Sequence, residues 1–205
     1  MTTIILLDYL RHEYTQRVKD VNLNNAGAEF NLIEVDIKGV SAAINEGLLK
    51  CDGDAFTMAN DILMPSNWLA DMLAARDRIP NTGLVGIHTV EGMPSISING
   101  VYDILCPFGN VFITKELMNQ IGFYNTDLDP YSTNDADYAI RSNMVGFRNY
   151  YIEGKAEHLG LDVGQVSDYR AMKDEGLANG NGQQWIDYYQ KSGNLYLGYE
   201  QENRD

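Results

Sequence analysis

Short apolar runs that end in polar residues alternate along this chain with stretches whose apolar positions recur at helical spacing. "TIILLDY" (3–9) reads as a buried strand, and "HEYTQRVKDVNLNN" (12–25) as the helix after it. "NLIEVD" (31–36) is a second strand. "GVSAAINEGLLK" (39–50) carries small and apolar residues at helical spacing. "DAFTMAND" (54–61) is a third strand, and "SNWLADMLAARDR" (66–78) a helix with Ser66 or Asn67 as its cap. "GLVGIHTV" (83–90) gives a fourth strand, "SISINGVYDIL" (95–105) a hairpin around Asn99-Gly100, and "CPFGNVFIT" (106–114) a further strand. "TNDADYAIRSNMVGF" (133–147) is an amphipathic helix followed by the strand "NYYIEG" (149–154). The alternation predicts an α/β fold built on a mostly parallel central sheet flanked by helices. After Gly160 the periodicity weakens, and a Gly/Asn-rich link precedes a last aromatic segment, "WIDYYQKSGNLYLGY" (185–199).

Composition narrows the function. At 205 residues and 44% apolar content the chain can build one sizeable core. A formal net charge of −14 opposes tight binding to a phosphate backbone, so nucleic acid is not the expected partner. It does not exclude a nucleotide, because a divalent cation reverses the local sign. "MTTIILLDYL" has no basic n-region, and no apolar run approaches the ~20 residues that span a bilayer. Cys51 and Cys106 show no metal-type spacing and read as reduced, semi-buried thiols. A cytoplasmic location is expected.

Open α/β sheets bind ligands beyond the carboxyl ends of their strands, so the polar residues there are the candidate site. They are Asp8 and Tyr9 after the first strand, Asp36 after the second, and Asn60 with Asp61 after the third. Any one of them suits a cap or turn. Their recurrence favours a hard divalent cation shared with substrate phosphates. A second acidic pair, Asp135 and Asp137, stands at the start of the helix at 133–147. Asn134 or Asp135 can cap that helix, and Asp137 can pair with Arg141 at i,i+4 as an exposed ion pair, leaving Asp135 free at the mouth of the cleft.

"GVSAAINEGLLKCDGDAFTMANDILMPSNWL" resembles the first half of family 2 glycosyltransferases with the GT-A fold: a Gly-x-x-x-Ala-x-Asn-x-Gly helix, a strand, an acidic metal motif and a Trp-Leu helix. "GNVFITKELMNQIGFYNTDLDPYSTNDADYAIRSNMVGFRNYYIEGKAEHLG" resembles the second half. The resemblance covers roughly residues 3 to 160 and implies a metal-dependent, inverting transfer of a sugar from a UDP- or GDP-type donor to a glycan or other hydroxyl. Tyr9 falls where the family contacts the base, and Asp36 where an acid binds base or ribose, although the usual Asp-Gly-Ser loop is missing. Asp8 and Asn60 flank the same donor site. Asp61 matches the last acid of the metal motif, where "MAND" has Ala59 and Asn60 in place of acids, and His158 matches a second ligand of Mn2+ or Mg2+. Asn134-Asp135 aligns with the family's Glu-Asp motif, which makes Asp135 the general base and places Asn134 and Asp137 on the acceptor side.

The resemblance divides the chain into a GT-A domain at 1–160 and a C-terminal extension at 161–205, expected to close over the donor through Trp185, Tyr188 and Tyr189. A non-catalytic sugar-nucleotide or carbohydrate-binding module of the same fold is the alternative. A nucleotidyltransferase would want a Gly-rich, basic phosphate loop near the N-terminus, which is missing here. A glycosyltransferase acting on DNA is opposed by the acidic balance.

Overall fold

β1 (Thr2–Leu7) shows why the first apolar run is continuous: it is covered on both faces. Ile4 and Leu6 point to one side of the sheet and Ile5 to the other, each fully buried. The structure is a computed structural model and describes residues 1–9, 12–88, 101–107, 109–159 and 182–198, with 171 and 174.

The other strands are β2 (Phe30–Val35), β3 (Ala55–Ala59), β4 (Ile62–Leu63), β5 (Thr82–His88), β6 (Val101–Asp103), β7 (Val111–Ile113), β8 (Arg148–Lys155) and β9 (Glu157–His158). The helices are α1 (His12–Asn24), α2 (Val40–Leu48), α3 (Trp68–Arg78), α4 (Lys115–Ile121), α5 (Asn134–Met144) and α6 (Gly182–Ser192), with a 3-10 turn at Thr126–Leu128. Seven strands form one sheet in the order β2-β1-β3-β7-β5-β8-β6, and β4 pairs with β9 in a separate ribbon. β2, β1, β3, β5 and β8 run in one direction, while β7 and β6 run against their neighbours. The sheet is therefore mostly parallel, as the alternation of elements predicts.

One layer covers the sheet with Val18 of α1 and Trp68, Leu69 and Met72 of α3, packed on Ile4, Phe56, Val85 and Tyr150. Phe56 and Trp68 pack with their rings tilted and ring centroids 4.2 Å apart. The opposite layer brings Ile44 and Leu48 of α2, Leu117 and Ile121 of α4, and Tyr138 of α5 onto Ile5, Ala55, Leu84 and Ile113. Each large apolar side chain buried this way contributes about 1.5–3 kcal/mol. Gly47 lets α2 lie close on β1, since a Cβ there would sit 2.4 Å from the Ile5 side chain.

One local expectation, the cap of α3, changes. Asn67 does precede α3, but with a left-handed backbone (φ 61°) and no side-chain capping bond; its N–H donates to Asn25 O (2.6 Å) instead. The turn at Asn99-Gly100 lies outside the described residues, and β6 pairs with β8. The aromatic segment of the C-terminal extension includes α6, which packs on α5 with Tyr189 fully buried. Leu197 then bridges to Gly122, with Phe123 N–H donating to Leu197 O (2.9 Å) and Leu197 N–H to Ile121 O (3.0 Å). Apart from 171 and 174, the stretch 161–181 lies outside the described residues.

Candidate active site

The parallel register of β2, β1 and β3 puts their carboxyl ends on one edge: Leu7 stands opposite both Val35 and Ala59. Asp8, Asp36 and Asn60 consequently leave neighbouring strands side by side. Asp8 Oδ1 accepts from Asn60 Nδ2 (3.2 Å) and from the Thr15 hydroxyl, and lies 3.1 Å from His12 Nδ1. Asn60 Nδ2 also reaches Thr15 Oγ1 (3.2 Å). The first strand end is thus tied to the first turns of α1, with Tyr9 half-buried beside it. Asp36 is exposed at the end of β2.

The two predicted metal ligands, Asp61 and His158, meet through the β4–β9 ribbon. Ile62 pairs with His158, and Leu159 N–H donates to Asp61 O (2.8 Å). That register leaves His158 Nε2 3.6 Å from Asp61 Oδ2. Asp61 is 5% exposed, and the His158 imidazole is the more open of the two. Asn22, fully buried on α1, holds this turn: Nδ2 donates to Ile62 O (2.8 Å) and Oδ1 accepts from Met64 N–H (2.7 Å).

The loop before β7 joins this end of the site to the second acidic pair. Asn110 Oδ1 accepts from Ala59 N–H (2.7 Å), two residues before Asp61. Gly109 N–H points at Asp135 Oδ2 from 3.5 Å. Asn110 is 1% exposed, and its Nδ2 has no hydrogen-bond partner among the described residues. A buried orphan donor is costly unless something else satisfies it.

Asp135 lies in the first turn of α5, half-buried beside Cys106 and Tyr124. It is less open than a residue free at the cleft mouth. Burial pushes its carboxyl up to about 6, offset in part by the Gly109 N–H. Their own burial, and then the Asp135 charge, push the Cys106 thiol and the Tyr124 phenol up. A carboxylic acid titrating near neutrality is suited to taking a proton in a reaction.

Asn134 and Asp137 differ from expectation. Neither Asn134 nor Asp135 caps α5; the residue before the helix is Thr133, whose side chain makes no capping bond. Asn134 is 3% exposed, donating to Ser41 Oγ (2.6 Å) and accepting from Ser132 N–H (2.8 Å). The Asp137–Arg141 pair is buried and not exposed: Nη2 lies 2.9 Å from Oδ2, with side chains 0% and 3% exposed. Arg141 also donates to Ile121 O (2.9 Å) and Phe123 O (2.9 Å), and Tyr189 OH donates to Asp137 Oδ1 (2.8 Å). Asp137 therefore faces the interior and the C-terminal segment. Sequence reading missed Asn22, Asn110, Ser41 and Asp129, whose partners stand 40 to 93 residues away for all but the shortest links. Polar residues inside helical apolar patterns, such as Asn22, are the one local signal.

The donor set at Asp61 and His158 fits a divalent ion. The Asp61 carboxylate suits a hard ion such as Mn2+ or Mg2+, and the His158 imidazole nitrogen can serve as a second donor. Among the described residues no group of three or more His, Cys, Asp or Glu side chains gathers at one point. No helix among the described residues is long and apolar enough to cross a membrane.

The mixed seven-stranded sheet and its flanking helices match solved GT-A glycosyltransferase structures, so the chain has the GT-A fold. Among solved structures, the chain is similar to the mannosyltransferase PcManGT from Pyrobaculum calidifontis in complex with GDP-Man and Mn2+, at 15% identity and TM-score 0.58, over 80% of this chain and 58% of that one. It is also similar to GalNAc-T7 with UDP, GalNAc and Mn2+, at 9% identity and TM-score 0.62, over 95% of this chain and 58% of that one. The chain thus spans less than two thirds of either structure. No protein-family model and no curated relative matches the sequence.

Proposed function

We propose that this chain is a divalent-metal-dependent glycosyltransferase that moves a sugar from a UDP- or GDP-type donor to an acceptor hydroxyl with inversion at the anomeric carbon. The observation that carries this reading is the 109–110 loop. It touches the strand that leads to Asp61 on one side and Asp135 on the other. That arrangement suits a reacting sugar held between leaving group and base.

Asp61 and His158 would hold Mn2+ or Mg2+, and the bound ion would supply positive charge for the donor diphosphate. Asp36 and Tyr9 stand where a nucleoside would lie along the strand ends, with Asp8 and Asn60 fixing that edge to α1. Asp135 takes the proton of the acceptor hydroxyl. The acceptor oxygen bonds to the anomeric carbon as the bond from that carbon to the diphosphate oxygen breaks. The nucleoside diphosphate leaves with the electron pair, and attack opposite the leaving group inverts the centre. Asn134 and Asp137, both engaged inside the protein, are assigned to the support of α5 in place of the acceptor. Incubation with a panel of UDP- and GDP-sugars, with Mn2+ or with EDTA, tests the reading by nucleoside diphosphate release. Metal-dependent release supports it, and binding without release identifies a non-catalytic sugar-nucleotide module.

A further inference from the structure

The start of α5 has no local cap, although it carries Asp135 one residue further on. What fixes it comes from far away in sequence. Asn134 Nδ2 donates to Ser41 Oγ (2.6 Å) across 93 residues and reaches Asp129 Oδ1 (3.4 Å), while Oδ1 accepts from Ser132 N–H (2.8 Å). Both ends of the amide are thus engaged within the protein, and Ser41 is fully buried.

Ser41 is itself part of a second anchor. The Asp129 carboxylate accepts from Ser41 N–H (2.8 Å) at Oδ1 and from Ala42 N–H (3.0 Å) at Oδ2, closing the amino end of α2 from 88 residues away. A carboxylate there satisfies orphan N–H groups and meets the positive end of the helix dipole. Val40 N–H adds a bond to Pro130 O (3.2 Å). Gly39 leaves the room: its φ is +103°, and a Cβ would stand 2.8 Å from Asp129 Oδ2. The segment 129–134 and the start of α2 are therefore joined by hydrogen bonds from both side chains and backbone. Asp135 follows this joint directly, and Asp36 lies three residues before Gly39 on its other side.

Resting on the glycosyltransferase reading, we propose that Asn134 is a positioning residue: through Ser41 and Asp129 it sets the place of Asp135 relative to the donor-side loop between β2 and α2. Misplacing a reacting group by about 1 Å costs on the order of 10²-fold in rate, so a single buried amide at this point has leverage on turnover.

Asn134→Ala and Ser41→Ala, with Asp135→Asn as control, test it. Donor turnover is followed by nucleoside diphosphate release, and donor-side affinity by calorimetry with UDP or GDP in Mn2+. Asn134→Ala is expected to lower kcat by about tenfold or more, and Ser41→Ala by a few-fold, with nucleotide Kd within about twofold of wild type. Freed from its fixed, half-buried position beside Cys106 and Tyr124, Asp135 should also titrate lower, moving the acid limb of the kcat profile to lower pH. Ser41→Ala leaves both backbone bonds to Asp129 in place, so it carries the test if Asn134→Ala does not fold. Lower melting temperatures with unchanged kcat and unchanged acid limb would overturn the proposal, as would a loss confined to nucleotide Kd. Wild-type turnover in Asp135→Asn would instead remove the base reading on which the proposal rests.

Discussion

Arg141 and Asp137 form an ion pair that is almost wholly withdrawn from solvent, with Nη2 2.9 Å from Oδ2 and both side chains at 3% exposure or less. Its remaining hydrogen-bonding capacity is met by the Ile121 and Phe123 carbonyls and by the Tyr189 hydroxyl. Helical spacing alone suggests an exposed pair worth ~0.3–0.5 kcal/mol. Burial changes the sign of what matters, because removing one partner strands the other charge inside. Asp137→Asn should therefore cost about 3–5 kcal/mol in urea unfolding. A loss below about 1 kcal/mol would mean that the pair is solvated in solution.

Tyr189 extends that pair to the C-terminal segment. Tyr189→Phe keeps the buried ring and removes the hydroxyl that donates to Asp137, at a cost of about 1–3 kcal/mol for the unsatisfied carboxylate oxygen. Limited proteolysis should find α6 released earlier than in wild type. Unchanged resistance would show that apolar packing of the ring holds the segment by itself.

Asp135 opposes stability at neutral pH. Its carboxyl is raised from the ordinary 3.8 to about 6, so the folded state holds the proton more tightly than the unfolded chain. The stabilisation from that proton is full below about pH 4 and is lost as pH rises through 6. Asp135→Asn, which needs no ionisation, should be more stable than wild type above pH 6 by roughly 1–3 kcal/mol. Melting curves at pH 4 and pH 7 check this: the gain should appear at pH 7 only.

The same carboxyl sets the rate profile. A base must be unprotonated, so kcat should rise with pH along a limb centred near 6 and flatten above it. A flat profile between pH 5 and 8 would exclude Asp135 as the rate-setting proton acceptor.

Asp61 and His158 predict how nucleotide binding depends on metal. Asp61→Asn and His158→Ala should each weaken Mn2+-dependent UDP or GDP binding by about tenfold or more, as measured by calorimetry. Equal affinity in EDTA and in Mn2+ would remove the metal from the donor site.

The parts of this molecule that were legible in the sequence are those that local pattern controls. Ile4, Ile5 and Leu6 announce a strand buried on both faces, and the strands at 31–36 and 54–61 end in the polar residues that the parallel register places on one edge. Asp61 and His158 fall together because β4 and β9 pair, and only the family resemblance links two residues so distant in the chain. Asp137–Arg141 is visible as an i,i+4 spacing, but spacing is silent on burial, which α6 and the 121–123 carbonyls impose from elsewhere. Asn134 looks like a cap because Asn is favoured there. It instead satisfies Ser41, a partner that no local rule identifies. Asn110 carries no pattern at all, and its buried amide becomes conspicuous only with the strand it serves in place.

Nucleoside diphosphate release from UDP- and GDP-sugars in Mn2+, measured side by side for wild type and Asp135→Asn, decides the role of the half-buried carboxylate. Release by wild type should fall by about 10²–10⁴-fold in the variant while its UDP or GDP affinity stays within about twofold. Undiminished release by Asp135→Asn would contradict the glycosyltransferase mechanism proposed for this chain.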